Sequence, residues 1–304
     1  MLGRAKKTND TIPAYMNQLS KRTLCVDTSM LVYKVHSIAV SSVANIHVFS
    51  LNPNGRWDKP DEEDIISQFE ASMREYISGM LKTGISFIFV IEGKTPDMKT
   101  DTHDKRQKQR LERSLLEYPD LERHIKSLRD KYLITRRHID ITISILKEMR
   151  CTVLQAEYES EGVCAHLVSQ GKAHGVLAED GDLVMLGCPV MIRKLRSLSL
   201  STGHFEYQGL ALVDVLINIG FLSLEHTKDQ YIEASHRLQL LCILSGTDYH
   251  KGVFRMGIIR IHKMMLDNNC HTYEDVCNVD PRFLDVPYND ILKTLDNNTK
   301  YTVL

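Results

Sequence analysis

The sequence predicts an α/β protein built on a mainly parallel, twisted sheet with helices on both faces, and three observations lead there. Short apolar runs of strand length alternate with amphipathic stretches of helix length in two blocks, 22–93 and 151–208. The runs RTLCVD (22–27) and ISFIFVIEG (85–93) are almost unbroken in apolar character, as strands covered on both faces are. Most of the runs end in or beside a carboxylate, the place where open α/β sheets build their sites.

The opening step is the strand RTLCVD followed by TSMLVYKVHSIAVSSVANI, whose apolar residues recur at helical spacing. A turn signal, Asn52-Pro53-Asn54-Gly55, lies within FSLNPNGRW, and DEEDIISQFEASMREYISGMLKTG then reads as an acid-started amphipathic helix ending at Gly84. ISFIFVIEG follows as the strongest buried-strand signal.

From Lys94 to Arg150 no strand pattern occurs and charge dominates, which predicts a helical insertion. The strand-helix rhythm resumes with CTVLQAE (151–157), a helix over SEGVCAHLVSQG, the strand HGVLAED (174–180) and VMIRKL near 190. Beyond Gly209 the pattern is helical, over LALVDVLINIG, HRLQLLCILSG and GIIRIHKMMLD, and residues 270–304 are weakly patterned. The expected parts of one integrated unit are 1–93, the insertion 94–150, 151–208 and a C-terminal helical region 209–304.

The 304 residues carry 43% hydrophobic content, enough for an ordinary core, and a net charge of −1, which argues against a protein coating nucleic acid over its whole surface. Seven cysteines, odd in number and without a C-x-x-C pair, suggest neither a disulfide framework nor a zinc site; reduced, mostly buried thiols are expected. No apolar run approaches the ~18 residues of a membrane span, and the first residues lack a signal peptide's apolar stretch, so no membrane partner and an intracellular location are expected.

Asp27, Glu92, Asp180 and Asp182 sit at the carboxyl ends of expected strands. Glu159 and Glu161 open the helix after the strand at 151, and Asp248, in SGTDYH, follows an apolar helix. Taken singly, such acids are common helix caps and surface groups. Seven in one pocket would repel, each pair at ~4 Å costing on the order of 1–4 kcal/mol, so cations must neutralise them. Oxygen-only ligands select hard ions such as Mg²⁺ or Mn²⁺, and two of them ~3.5–4 Å apart clamp the attacking and leaving oxygens in phosphodiester hydrolysis.

Five ordered strings, VDTSMLVY (26–33), FVIEGKTPDMK (89–99), EYESEGVCAHL (157–167), LAEDGDLVMLGC (177–188) and LCILSGTDY (241–249), make the chain resemble the XPG/flap-endonuclease family from about Thr23 to Met265. The resemblance implies a PIN-like nuclease fold with an arch or cap insertion and a C-terminal helix-turn-helix region. It implies metal-site roles for Asp27, Glu92, Glu159, Glu161, Asp180, Asp182 and Asp248 with two Mg²⁺ (or Mn²⁺), and contact of Lys99 and Arg106 with the scissile phosphate. It implies cleavage of DNA at flaps, nicks, branches or ends by a 5′ endonuclease or 5′→3′ exonuclease in replication, repair or recombination, at a nuclear or viral site.

KRQKQRLER (105–113) independently sets Arg106, Arg110 and Arg113 on one helical face that can guide a phosphate backbone, or else forms a solvated face. Tyr33 matches a family position that stacks on the base beside the cut; as a lone Tyr it reads equally as core.

The sequence also departs from the family. Glu92 stands where an Asp is usual, the start MLGRAKKTND does not match the usual Met-Gly opening, and no clamp-binding tail follows residue 270. HKGVFRMGIIRIHKM keeps Gly252 and Gly257, but Arg255 replaces an expected hairpin Gly, so a reshaped hairpin is expected, with Arg255, Arg260, His262 and Lys263 left to meet phosphates. An RNA-cleaving nuclease of the same fold and a catalytically silent branched-DNA-binding module remain as alternatives. A haloacid-dehalogenase-like phosphatase needs a second Asp two residues after the first, where Ser29 stands.

Overall fold

A computed structural model describes residues 14–48, 60–100, 105–106, 108–109, 112 and 128–304. The expected turn at 49–57 lies outside these residues. In the first half, β1 (Ala14–Tyr15), β2 (Thr23–Asp27), α1 (Thr28–Val48), α2 (Glu62–Leu81), β3 (Ser86–Ile91), α3 (Arg136–Glu148) and β4 (Thr152–Ala156) follow one another. The second half contains α4 (Ser160–Ser169), β5 (Gly175–Leu177), α5 (Asp182–Met185), β6 (Val190–Ser199), β7 (His204–Ala211), α6 (Leu212–Asn218), α7 (Lys228–Ser245), α8 (Ile258–Asp267), α9 (Tyr273–Val279), α10 (Tyr288–Asn297) and β8 (Tyr301–Val303).

The sheet order is β1-β7-β6-β5-β2-β3-β4-β8. The five strands β6-β5-β2-β3-β4 run parallel, and antiparallel strands close both edges. The α/β reading with helices on both faces holds, because successive strand residues feed opposite cores. Leu24, Val26, Phe89, Ile91 and Val153 pack with α1, α2 and α3, while Cys25, Val90, Leu154 and Ala156 pack with helices of the second half. Strand order reverses between β2 and β5, so the crevice at their carboxyl ends is the switch point at which open α/β sheets bind ligands.

Three stretches depart from the sequence expectation. The helix over 136–148 was expected within the insertion, yet α3 buries Ile145 and Leu146 on the sheet and belongs to its covering layer. The strand near 190 extends to Ser199 and returns as β7 through a turn at Gly203 (φ +67°), so that the residues before Leu212 are strand rather than helix. The weakly patterned end forms α9, α10 and β8, whose last strand pairs with β4. Its signal is weak because each element is short and buries only a few apolar residues, among them Val276, Ile291 and Leu295.

The cysteines are free thiols, five of them buried and Cys151 and Cys242 half-buried. Among the described residues no helix is long and apolar enough to cross a membrane.

Candidate metal centre

The acids converge because the strands that carry them end together. Asp27 is the last residue of β2, Glu92 follows β3, and Glu159 to Glu161 form the junction of β4 with α4. Asp180 and Asp182 follow β5, and Asp248 follows α7. Gly93 lets the end of β3 approach that of β4: a Cβ there would lie 2.3 Å from the Ala156 carbonyl oxygen and 2.4 Å from that of Glu157.

Oxygens of Glu92, Glu159 and Glu161 all lie within 4.8 Å of one another. Ser160, fully buried between the two acids of α4, donates its backbone N–H to Glu92 Oε2 at 3.0 Å, and its Oγ lies 2.8 Å from the same oxygen and 2.9 Å from Asp27 Oδ1. On the other flank Lys99 Nζ meets Glu159 Oε1 at 2.5 Å, Asp182 at 3.8 Å and Asp248 at 3.9 Å, and Arg106 donates to Asp248 Oδ1 at 2.7 Å. Glu159 Oε2 accepts from the Tyr249 hydroxyl and, at 2.8 Å, from Asn298 Nδ2. Asp180 accepts the Asp182 N–H at 3.1 Å.

This crowding shows in the ionisation of the acids. Burial first, then Asp27 and Glu92, push Glu161 up to about 9. Burial first, then Asp27 and Glu159, push Glu92 up to about 7 against the two Ser160 hydrogen bonds. Asp182 is raised to about 6 by burial, Asp180 and Asp248, and Asp27 is raised chiefly by burial. Burial lowers the Lys99 ammonium, but Glu159, Asp182 and Asp248 together outweigh it and raise its pKa. Among the described residues Lys99 and Arg106 ion-pair with three of the seven carboxylates, Glu159, Asp182 and Asp248, and the clustered donors of Glu92, Glu159 and Glu161 are oxygens, so the residues fit hard divalent cations.

Tyr33, on α1, is half-exposed and lines an open hollow of about 650 Å³ together with Asp27, Glu161, Glu179 and Asp180. The hollow therefore opens at the strand-order switch. Arg110 and Arg113 lie outside the described residues. Arg255, Arg260 and Lys263 are exposed on α8 and the loop before it. His262 is not: it is buried against the Phe221 ring and bonds the Ile219 carbonyl at 2.7 Å, which corrects its expected phosphate role. Arg255 adopts φ +61°, so the left-handed turn forms without glycine where reshaping was expected. The Arg260 guanidinium ties its carbonyl at 2.9 Å, and a Cβ at Gly252 (φ +72°) would lie 2.8 Å from the Ser245 carbonyl oxygen, leaving no room for a side chain.

The family models described as XPG N-terminal domain and XPG I-region match residues 5–113 and 150–248, together about two thirds of the chain and all seven acids. The chain belongs to the XPG/flap-endonuclease family. Flap endonuclease 1 of Chlamydomonas reinhardtii is 27% identical over 75% of this chain and 56% of its own length. Flap endonuclease 1-B of Xenopus laevis is 26% identical over 94% of this chain and 70% of its own. The chain thus spans between about half and about two thirds of the length of several curated relatives. A solved structure of human GEN1 in complex with Holliday junction DNA has a TM-score of 0.55 and 17% identity, covering 96% of this chain and 65% of that one, and shares the PIN-like fold.

Three residues in this XPG-family site escaped sequence reasoning. Ser160 and Tyr249 sit beside acids that motif spacing found, and adjacency was their only signal. Asn298 had none, since it reaches Glu159 from the weakly patterned end.

Proposed function

We propose that the chain is a structure-specific 5′ nuclease that hydrolyses DNA phosphodiester bonds with two divalent cations, Mg²⁺ or Mn²⁺. The observation that carries this reading is the meeting of acids from the ends of β2, β3, β4 and β5 and the loop after α7, with Lys99 and Arg106 on one flank against Glu159, Asp182 and Asp248. The names of the flap-endonuclease relatives support the substrate class.

Glu92, Glu159, Glu161, Asp27, Asp180, Asp182 and Asp248 hold the cations, directly or through water. When bound, such cations polarise the phosphate and lower the pKa of a coordinated water. Lys99 and Arg106, placed at the acid ring by Glu159 and Asp248, neutralise the charge on the phosphate under attack. Tyr33 offers its ring to the base beside the cut at the rim of the hollow. Arg255, Arg260 and Lys263 bind the duplex backbone and fix register without reading sequence. The part of the 94–150 block that precedes α3 admits the 5′ end or flap.

End-labelled 5′-flap, nicked and blunt duplexes and an RNA flap, incubated with Mg²⁺ or Mn²⁺, test the reading, with Asp182→Asn in parallel. Preferred cutting near the DNA branch, lost in the variant, supports it. Cutting of RNA alone, or cutting indifferent to the branch, overturns it.

A further inference from the structure

The Ser160 hydroxyl is the junction between two candidate metal ligands that come from different strands. Its Oγ lies 2.9 Å from Asp27 Oδ1 and 2.8 Å from Glu92 Oε2, with Glu161 Oε2 at 3.3 Å. Its N–H also donates to Glu92 Oε2. The side chain is completely buried, so no solvent competes for these contacts. The sequence places it between Glu159 and Glu161, so any motion of Ser160 would move both.

Glu92 has one methylene more than Asp and one more rotatable bond, and without restraint its carboxylate would sample several positions at the end of β3. The Ser160 N–H, together with the one hydroxyl proton that Glu92 shares with Asp27, fixes Oε2, which leaves Oε1 as the oxygen with a set direction. Gly93, pressed against the Ala156 and Glu157 carbonyls, anchors the backbone on the other side of Glu92.

We propose that Ser160 is a positioning residue that fits the long Glu92 side chain to the metal centre and aligns it with Asp27. This inference rests on the two-cation reading above. Hydrogen-bonding partners behind metal ligands commonly matter by about 10- to 100-fold in metal affinity, and Ser160 serves two ligands at once. Shortening Glu92 to Asp withdraws the carboxylate from Ser160, so the hydroxyl then matters only through Asp27.

The test is a double-mutant cycle on Mn²⁺ binding, followed by calorimetry and by the spectrum of bound Mn²⁺, over wild type, Ser160→Ala, Glu92→Asp and the double variant. Ser160→Ala is expected to weaken Mn²⁺ binding about 10-fold or more in the wild-type background and much less in the Glu92→Asp background, a coupling that a merely structural role does not produce. Ser160→Thr, which keeps the hydroxyl, tests for rescue, and thermal melting separates loss of fold from loss of positioning. Equal effects of Ser160→Ala in both backgrounds, or none in either, overturn the proposal. Absence of Mn²⁺ binding to the wild type overturns the two-cation reading instead.

Discussion

Asn298 donates a 2.8 Å hydrogen bond to Glu159 Oε2, tying the turn before β8 to the first residue of the acid pair on α4. The same amide donates to the Tyr249 hydroxyl at 3.1 Å, which itself donates to Glu159, and Gly162 lets the segment approach: a Cβ there would lie 2.6 Å from the Asn298 carbonyl oxygen. The strand that follows is held by the bond from the Glu157 N–H to the Lys300 carbonyl at 2.9 Å. Asn298→Ala should therefore lower divalent-metal affinity about 10-fold and destabilise the fold by about 1–2 kcal/mol. Mn²⁺ calorimetry and urea unfolding measure both, and unchanged affinity would mean that the C-terminal segment plays no part in the site.

Arg255 occupies the left-handed region that favours glycine and stacks its guanidinium 5.1 Å from the Phe254 ring. Arg255→Gly relieves the strained φ while adding freedom to the unfolded chain, so a net stability change within about 1 kcal/mol is expected. Duplex binding should weaken, with the slope of log affinity against log salt reduced by about 1. A salt titration with a fluorescent duplex reads the slope, and an unchanged slope would remove Arg255 from the duplex surface.

His36 and His138 face each other in the interior where α1, α2 and α3 meet, with ring centroids 5.1 Å apart and His138 4.9 Å from Phe69. Burial first, then His138 and Arg129, lower His36 from 6.5 to about 4. A depressed value means that the unfolded chain takes up the proton first. The contribution of the neutral ring is complete above pH 6.5 and is lost as pH falls toward 4, by up to ~3 kcal/mol. Urea midpoints measured from pH 7 to 4 should show this decline, and His36→Leu should flatten it; equal slopes in both proteins would assign the acid lability to other groups.

Much of the fold was legible because β2, β3 and β4 each present a buried apolar run beside a helix of clear period, as in Leu24 to Val26 and Phe89 to Ile91. The acids were legible because strand ends and motif spacing both marked them. The β6–β7 hairpin was only half seen, since β7 alternates weakly and its register shifts between Arg193 and Arg196. Asn298 was invisible for a different reason. A short buried polar side chain that acts through two hydrogen bonds leaves no periodicity, and the pairing of β8 with β4 and the close approach at Gly162 bring it to Glu159.

The most direct test of the acid ring as a cation-holding site is the thermal stability of wild type and Glu161→Gln at pH 8, with and without Mg²⁺. Glu161 is raised from 4.5 to about 9, so the folded state loses stability as pH climbs between those values, and the neutral amide escapes that loss. A ring that needs cations predicts a metal-free variant that melts higher than wild type. Mg²⁺ should raise the wild-type melting temperature by several degrees and the variant's by far less, while flap cleavage by the variant falls at least ~100-fold, or about 2.7 kcal/mol. A variant that melts lower than wild type without metal, gains as much from Mg²⁺ and still cuts would contradict it.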